Sequence, residues 1–441
     1  MTTTTGKVLR RRLSESIGDY YSLTTSSDGD SAKSTMIDAS LKNLSGGGDD
    51  DAFEGWYVLI SDSDAASDGE DRRIRQYSVA GSDGSSPTLT VEQVFAGGQI
   101  QSSTTYELHR WDPKDKREAI NRSGRQLFPT LYKPIIDESI IIDNLLLNGG
   151  MEDWTSGVPD NWTEVNSPAT TQETSRVFHL SSSAKLTGPS GSVGQLTQEA
   201  SVNMADVAGL SATLKGRVWT NAASQARLRL DWDGSEIEDG DYHGGDSEWE
   251  LLSVSGTIPT TATQVKAILE VTAEDTAYFD HLYLVIGPKY RYTIPSTIVG
   301  IPNRVTIQYD EGDVDGPFYP FRHNTSPLPG RLLRVEGKGL LSQPSTDAAT
   351  IEIGEPEIDL LISYAEVLFW QMQASPARSA ATQRERYRAA AEDAAEKVAQ
   401  LARRVKTPRM GSIPHESIFH YEQDGNGRYL VFDRTRNVVV I

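Results

Sequence analysis

The spacing of apolar and polar residues changes several times along the chain, and each change marks a new element. Residues 7–20 place Leu9, Leu13 and Ile17 at every fourth position, the apolar stripe of a short helix, with Arg10, Arg11 and Arg12 mostly off that stripe. Those arginines are either a solvated helix end or a contact to an acidic neighbour. From 18 to 110 the pattern becomes short β-branched and aromatic runs ("GWYVLIS", "RRIRQYSVAG", "TLTVEQVF", "TTYELHR") separated by Gly, Asp and Ser clusters. About six such runs predict a small closed barrel, which leaves few sheet edges bare. Residues 112–139 read as a helix capped by Asp112, with Pro113 in its first turn and Ile120, Leu127, Phe128 and Leu131 on one face. Pro129 and Pro134 turn its exit into extended chain.

Residues 144–288 return to strand periodicity. "SATLKGRVW" and "ARLRLDW" alternate cleanly, and about seven or eight strands at this spacing predict a β-sandwich. Residues 290–355 hold shorter strands broken by prolines. A helical hairpin follows over 356–406. Its first helix, "PEIDLLISYAEVLFWQM", is apolar nearly all round, as a helix buried on several sides must be. Its second carries Tyr387, Ala391, Ala394, Val398, Leu401 and Val405 as a seam against a partner helix. The last stretch predicts a β-hairpin turning at Asp424-Gly425-Asn426-Gly427 and pairing either within its own chain or with another subunit.

These readings make the fold α+β and mostly β, in four parts. Residues 1–110 form the N-terminal helix and small β-barrel; 111–143 with 289–415 form a helical/β domain; 144–288 form an inserted sandwich; and 416–441 form a C-terminal hairpin.

Charge sharpens the division. The chain carries a net charge of −20, but 144–288 alone holds 20 Asp/Glu against 7 Lys/Arg, a net of −13. Residues 376–410 hold 9 Lys/Arg against 4 Asp/Glu, a net of +5. Free nucleic acid is a poor partner for so acidic a chain. There is no cysteine, which excludes disulfides, thiol catalysis and cysteine-ligated zinc. The N-terminus lacks the apolar core of a secretory signal, and no apolar run reaches the roughly 18 residues of a membrane span. The expectation is a soluble chain made in a cytoplasm, with no membrane partner.

Candidate chemistry is sparse. No nucleophile-elbow, P-loop, dinucleotide-binding or zinc-protease motif occurs, so the chain reads as non-enzymatic, with no required cofactor. His415 and His420 are the closest histidine pair and lack a third ligand nearby. The run at 231–250 offers Asp231, Asp233, Glu236, Asp239 and Asp241 as oxygen ligands, but it departs from EF-hand spacing and reads as a solvated loop. Trp154, Trp162 and Trp249 read as core or rim residues, whereas Trp232 and Tyr242 stand as candidate sugar-stacking residues.

Two resemblances add to this. "NGGMEDWTSGVPDNW" and "AYFDHLYLVIG" resemble the opening motif and closing strand of carbohydrate-binding-module-like jelly rolls, over about a third of the chain. That likeness implies a structural calcium held by Glu152 and Asp280, with His281 standing where the family has a second acid. The flanks, "FEGWYVLISDSDAASDGEDRRIRQYSVAG" with "TYELHR", "WDPKDKREAINRSGRQLFPTLYKPIIDESI" and "GEPEIDLLISYAEVLFWQMQ", are similar to phage head-to-tail connector (adaptor, neck) proteins. This implies a dodecameric homo-oligomeric ring in the virion neck, joining portal to tail proteins and passing genomic DNA without specific binding. Arg384, Arg386, Arg388, Arg403 and Arg404 would then meet portal or neighbouring-subunit surfaces. The alternative is a virion decoration or host-attachment protein whose jelly roll binds a host-surface glycan.

Overall fold

The computed structural model describes residues 2–62, 64–80, 86–234, 236–288, 292–308, 318–320 and 329–403, together with the strands Phe419–Gln423, Tyr429–Asp433 and Val438–Val440. The fold is α+β and mostly β. It divides into two compact units, each discontinuous in sequence. One comprises Met1–Lys133 with Gly339–Gly411, the other Pro134–Lys338 with Ser412–Ile441. The insert boundaries expected from sequence, Asn144 and Pro288, thus fall inside the second unit.

In the first unit, six antiparallel strands run in the order Tyr21–Thr24, Thr105–His109, Tyr57–Ile60, Asp71–Ser78, Thr88–Val91, Thr35–Ile37. An isolated bridge from Ser27, three residues past the first of these strands, to Ile37 of the last brings the sheet's two edges together. The sheet's core holds Val58, Ile60, Ile74, Leu89, Tyr106 and Leu108. Beside it, helices Gly6–Ser16, Pro113–Gln126 and Glu357–Gln373 share a second core of Leu9, Leu13, Ile120, Leu361, Leu368 and Phe369. The Pro113 helix begins as expected, with the Asp112 side chain accepting from the Lys114 amide. It ends earlier, at Gln126, and Lys133–Ile141 is a strand.

A buried ionic cluster joins these elements. Arg10 and Glu107, both essentially unexposed, are ion-paired, and Arg11 Nε donates to the other Glu107 oxygen at 2.6 Å. His109 Nε2 lies 3.1 Å from Glu107, and Lys116 Nζ lies 3.0 Å from His109 Nδ1 and 2.8 Å from Asp19. Burial lowers the Lys116 pKa to about 8, and burial also keeps His109 below its usual value. Burial pushes Glu107 up, but bonds from His109, Arg10 and Arg11 outweigh it and hold the carboxyl well below the ordinary carboxylate range. Of the two readings of these arginines, contact with an acidic neighbour is the one Arg10 and Arg11 meet: both pair with the buried Glu107 of their own unit and Arg10 also with Asp347, while Arg12 forms a partly exposed pair with Glu355.

In the second unit, two five-stranded antiparallel sheets pack face to face. The first orders Thr163–Val165, Gly194–Glu199, Lys266–Val271, Ala226–Asp231, Ile237–Tyr242. The second orders Ala169–Glu173, Ser183–Thr187, Thr276–Val285, Ser211–Trp219, Trp249–Thr257. Alternate residues of both fill the core: Leu196, Leu228, Leu230, Leu269, Leu186, Leu214, Val218 and Phe279. The opening motif is a clasp on this sandwich. Asn148 Oδ1 accepts the amides of Glu152 and Asp153, and a side chain at Gly149 would meet the Leu282 carbonyl at 2.1 Å. A four-stranded sheet of Phe318–Pro320, Arg304–Gln308, Leu332–Gly339 and Lys133–Ile141 completes the unit. The C-terminal segment forms a three-stranded antiparallel sheet rather than a single hairpin, with Phe419–Gln423 and Tyr429–Asp433 paired within the chain. Its predicted turn lies outside the described residues.

Candidate functional site

Strand alternation sorts the sandwich's side chains onto a core and two outer faces, and the two faces differ in kind. On the first sheet, register aligns Val165, Gln195, Glu270, Arg227 and Tyr242 across all five strands. Glu270 lies at the bottom, 2% exposed, accepting from Gln195 Nε2 (2.8 Å), Arg227 Nε (2.7 Å) and Arg229 Nη1 (2.6 Å). Burial pushes the Glu270 pKa up, but these donors outweigh it and hold the carboxyl below its usual value. Both arginines also pair with Asp239, and Lys266 lies 3.7 Å from Asp231. Every cation on this face is thus matched by a carboxylate.

On the second sheet the register builds a different row: Thr171, Lys185, Tyr278, Trp219 and Trp249, again one per strand. Ala184, Leu186, Ala277, Phe279, Val218 and Leu252 enter the core, so their neighbours Lys185, Tyr278, Trp219 and Trp249 take the outer face. The Trp219 and Tyr278 rings meet edge to face at 5.4 Å, and Trp219 Nε1 donates to the Ser247 carbonyl at 2.7 Å, which fixes the indole. The Arg176 guanidinium lies 3.6 Å from the Trp219 ring centre and 4.5 Å from that of Tyr278. Beside it, Arg217 sits 4.5 Å over Phe178, whose ring is 5.9 Å from Trp249. The result is a fixed row of aromatic rings interleaved with cations, on a half-exposed sheet surface.

Asp280 holds the segment that carries Arg176 and Phe178. Its Oδ2 accepts the amides of Phe178 (2.8 Å) and His179 (3.0 Å), and its Oδ1 accepts the His281 amide (2.7 Å). Burial pushes its pKa up to about 7, against three amides that favour the anion. Glu152 is likewise engaged by the amides of Ser181 and Ser182, each at 3.0 Å, and by the Ser181 hydroxyl. N–H donors converge on both carboxylates, where a calcium ion needs oxygen acceptors, and among the described residues no three His, Asp or Glu gather as a metal-ligand set. Glu152 and Asp280 therefore do not fit the calcium that the jelly-roll resemblance implied. Asp231 is also occupied otherwise, accepting the amides of Asp233 and Gly234.

The two candidate sugar contacts are not brought together. Trp232 is fully buried; it continues the inward parity of Leu228 and Leu230 and belongs to the core. Tyr242 is 38% exposed, on the ion-matched face, beneath Arg227. Trp162 is a core residue and Trp154 packs on the core's edge, but Trp249, expected in the core or at its rim, stands on the aromatic face. Sequence reasoning passed over Trp219, Tyr278, Lys185 and Arg176. The alternation of "SATLKGRVW" already sets Trp219 on the side of Lys215 and Arg217, opposite Leu214 and Val218. In the other unit, helix Ala381–Ala402 leaves Arg386, Arg388 and Arg403 exposed and Arg384 half-buried, while Arg404 lies outside the described residues. Val367, Gln371, Ala374, Arg388, Ala391 and Glu392 line an open cavity of about 390 Å³ between the paired helices. No helix among the described residues is long and apolar enough to cross a membrane.

No family model and no curated protein matches the chain. Solved structures similar to it include the enzymatically active domain of tailspike protein 4 of bacteriophage CBA120, at 13% identity and TM-score 0.27, covering 33% of this chain and 22% of that one. They also include the CBM22-1 xylan-binding domain of Paenibacillus barcinonensis Xyn10C, at 16% identity and TM-score 0.28, over 33% of this chain and 96% of that domain. A third is TmCBM61 in complex with β-1,4-galactotriose, at 18% identity and TM-score 0.26, over 33% and 99%. The match spans under a quarter of the tailspike domain but nearly all of the two binding modules. Identities and TM-scores this low define neither a family nor a ligand for this chain.

Proposed function

We propose that the sandwich is a glycan-binding module whose contact surface is the outer face carrying Tyr278, Trp219 and Trp249. The observation that carries this reading is the row itself: three aromatic residues in register on adjacent strands, with the Trp219 indole tied to the Ser247 carbonyl. Pyranose rings present flat C–H faces that stack on such rings, and fixed polar groups beside them supply orientation. Preorganisation matters because a rigid row spends little binding energy on ordering side chains. The test is a glycan array probed with the full chain and with Trp219→Ala and Trp249→Ala. Binding by the parent and its loss in both variants is the expected result; no signal on any glycan would remove the reading. As part of a virion, such a module would decorate the particle or attach it to a host surface.

A second reading concerns the other unit, where the similarity to phage connector proteins lies. The observation favouring it is that helix Ala381–Ala402 buries only Ala391 and Ala394, leaving an arginine-bearing face for a neighbouring subunit. Light scattering of the purified chain tests it: a ring-sized oligomer supports it, and a monomer at every concentration removes it.

A further inference from the structure

The seven Lys and Arg of residues 144–288 are divided between the two outer faces in a way that names a ligand class. Arg227, Arg229 and Lys266 lie on the first sheet, each within ion-pair distance of a carboxylate. The other four, Arg176, Lys185, Lys215 and Arg217, lie on or beside the aromatic face. Among the described residues, no carboxylate lies within ion-pair distance of Arg176 or Lys185. The nearby acids are engaged elsewhere: Asp280 by three backbone amides, and Glu173 by the amide and hydroxyl of Ser175. A block whose net charge is −13 thus keeps Arg176 and Lys185, which have no carboxylate partner among the described residues, on one surface, next to its aromatic row. Arg176 is also pinned. Its guanidinium packs against both Trp219 and Tyr278, and an arginine so placed can receive a carboxylate through two parallel N–H bonds. Lys185 is the cross-strand neighbour of Tyr278, one of the two rings against which Arg176 packs, so both cations flank that ring.

We infer that the module selects acidic glycans, with a uronate carboxylate received by Arg176 and Lys185 while an adjoining sugar ring lies along Trp249. This rests on the glycan-binding reading and adds the substrate class to it. An oxyanion complements the face electrostatically, and neutral sugars would leave the cations without a partner in the complex. The remainder of the acidic domain repels polyanions, so recognition is confined to this face and weakens with salt.

The experiment uses the full chain on an array of uronate oligosaccharides of the gluco, galacto, manno and gulo series, each beside its carboxyl-reduced counterpart. Affinities for the best pair are then measured by titration calorimetry. The expected result is a preference of at least about tenfold for the acidic member, decreasing between low and high salt. Arg176→Gln abolishes the preference while keeping the weaker affinity for the reduced sugar, and Arg176→Lys, which keeps the charge but not the fork, restores part of it. Equal affinity for both members, or a preference unchanged in Arg176→Gln, overturns the acidic assignment and leaves the glycan reading standing. Absence of binding to every glycan, acidic or neutral, overturns the glycan reading itself. Loss of both affinities in Arg176→Gln with an unchanged unfolding profile would show that the arginine serves general binding and not charge selection, and would also overturn the assignment.

Discussion

Replacing Asp280 by Asn removes the group that holds the 176–179 segment against the aromatic face without removing its shape. The carboxyl is fully buried and its pKa is raised by that burial to about 7. A folded-state value above the unfolded one, about 3.9, means that folding takes up a proton between them. The group's contribution is therefore complete below about pH 4 and is lost as the pH rises through 7. About three units at 1.36 kcal/mol each make the loss about 4 kcal/mol, a large share of the stability of a typical domain. The assay is urea unfolding followed by tryptophan fluorescence, at several values between pH 4 and pH 8, for the parent and for Asp280→Asn. Background titrations cancel in the difference. The parent should lose about 4 kcal/mol relative to the variant across that range. A difference that stays flat or changes in the opposite direction would refute the reasoning, because the three amide donors would then outweigh burial and Asp280 would be an anion throughout.

Three further outcomes are expected. Glu107→Ala removes one of the two carboxylates that hold the buried Arg10, leaving Asp347, and should destabilise the first unit by about 1.5–3 kcal/mol in urea unfolding, whereas Arg12→Ala, at an exposed pair with Glu355, should cost under about 1 kcal/mol. Because Glu107 and His109 are both held below their usual pKa values, that unit should lose stability as the pH falls, first through the histidine range near 6.5 and then through the carboxylate range near 4.5; His109→Gln should flatten only the upper part of a thermal-melt profile. Adding calcium or a chelator should leave the melting of the sandwich unchanged, since Glu152 and Asp280 are bonded to N–H donors; a calcium-dependent rise in Tm would contradict that arrangement.

The sequence carried the elements further than it carried the site. Alternation in "SATLKGRVW" and "ARLRLDW" predicted both strands, and the Pro113 and Asp112 pair marked a helix start that the structure keeps. The apolar all-round helix is buried among three helices, as its composition required. What local pattern does not contain is register. Trp249, Trp219 and Tyr278 are far apart in the chain and meet only because three strands pair in one alignment. The same limit hid the Arg10, Glu107, His109 and Lys116 cluster, whose members come from two helices and a barrel strand. Trp232 was misplaced for a different reason: proximity to an acidic loop outweighed its strand parity, which already set it beside Leu230 in the core.

Hydrogen–deuterium exchange of the full chain, with and without the glycan that binds most tightly on the array, tests the central claim most directly. Protection confined to residues 176–179, 215–219, 249–251 and 276–280 is the predicted result. Protection on Ala226–Asp231 and Ile237–Tyr242, with none on the aromatic row, would contradict it.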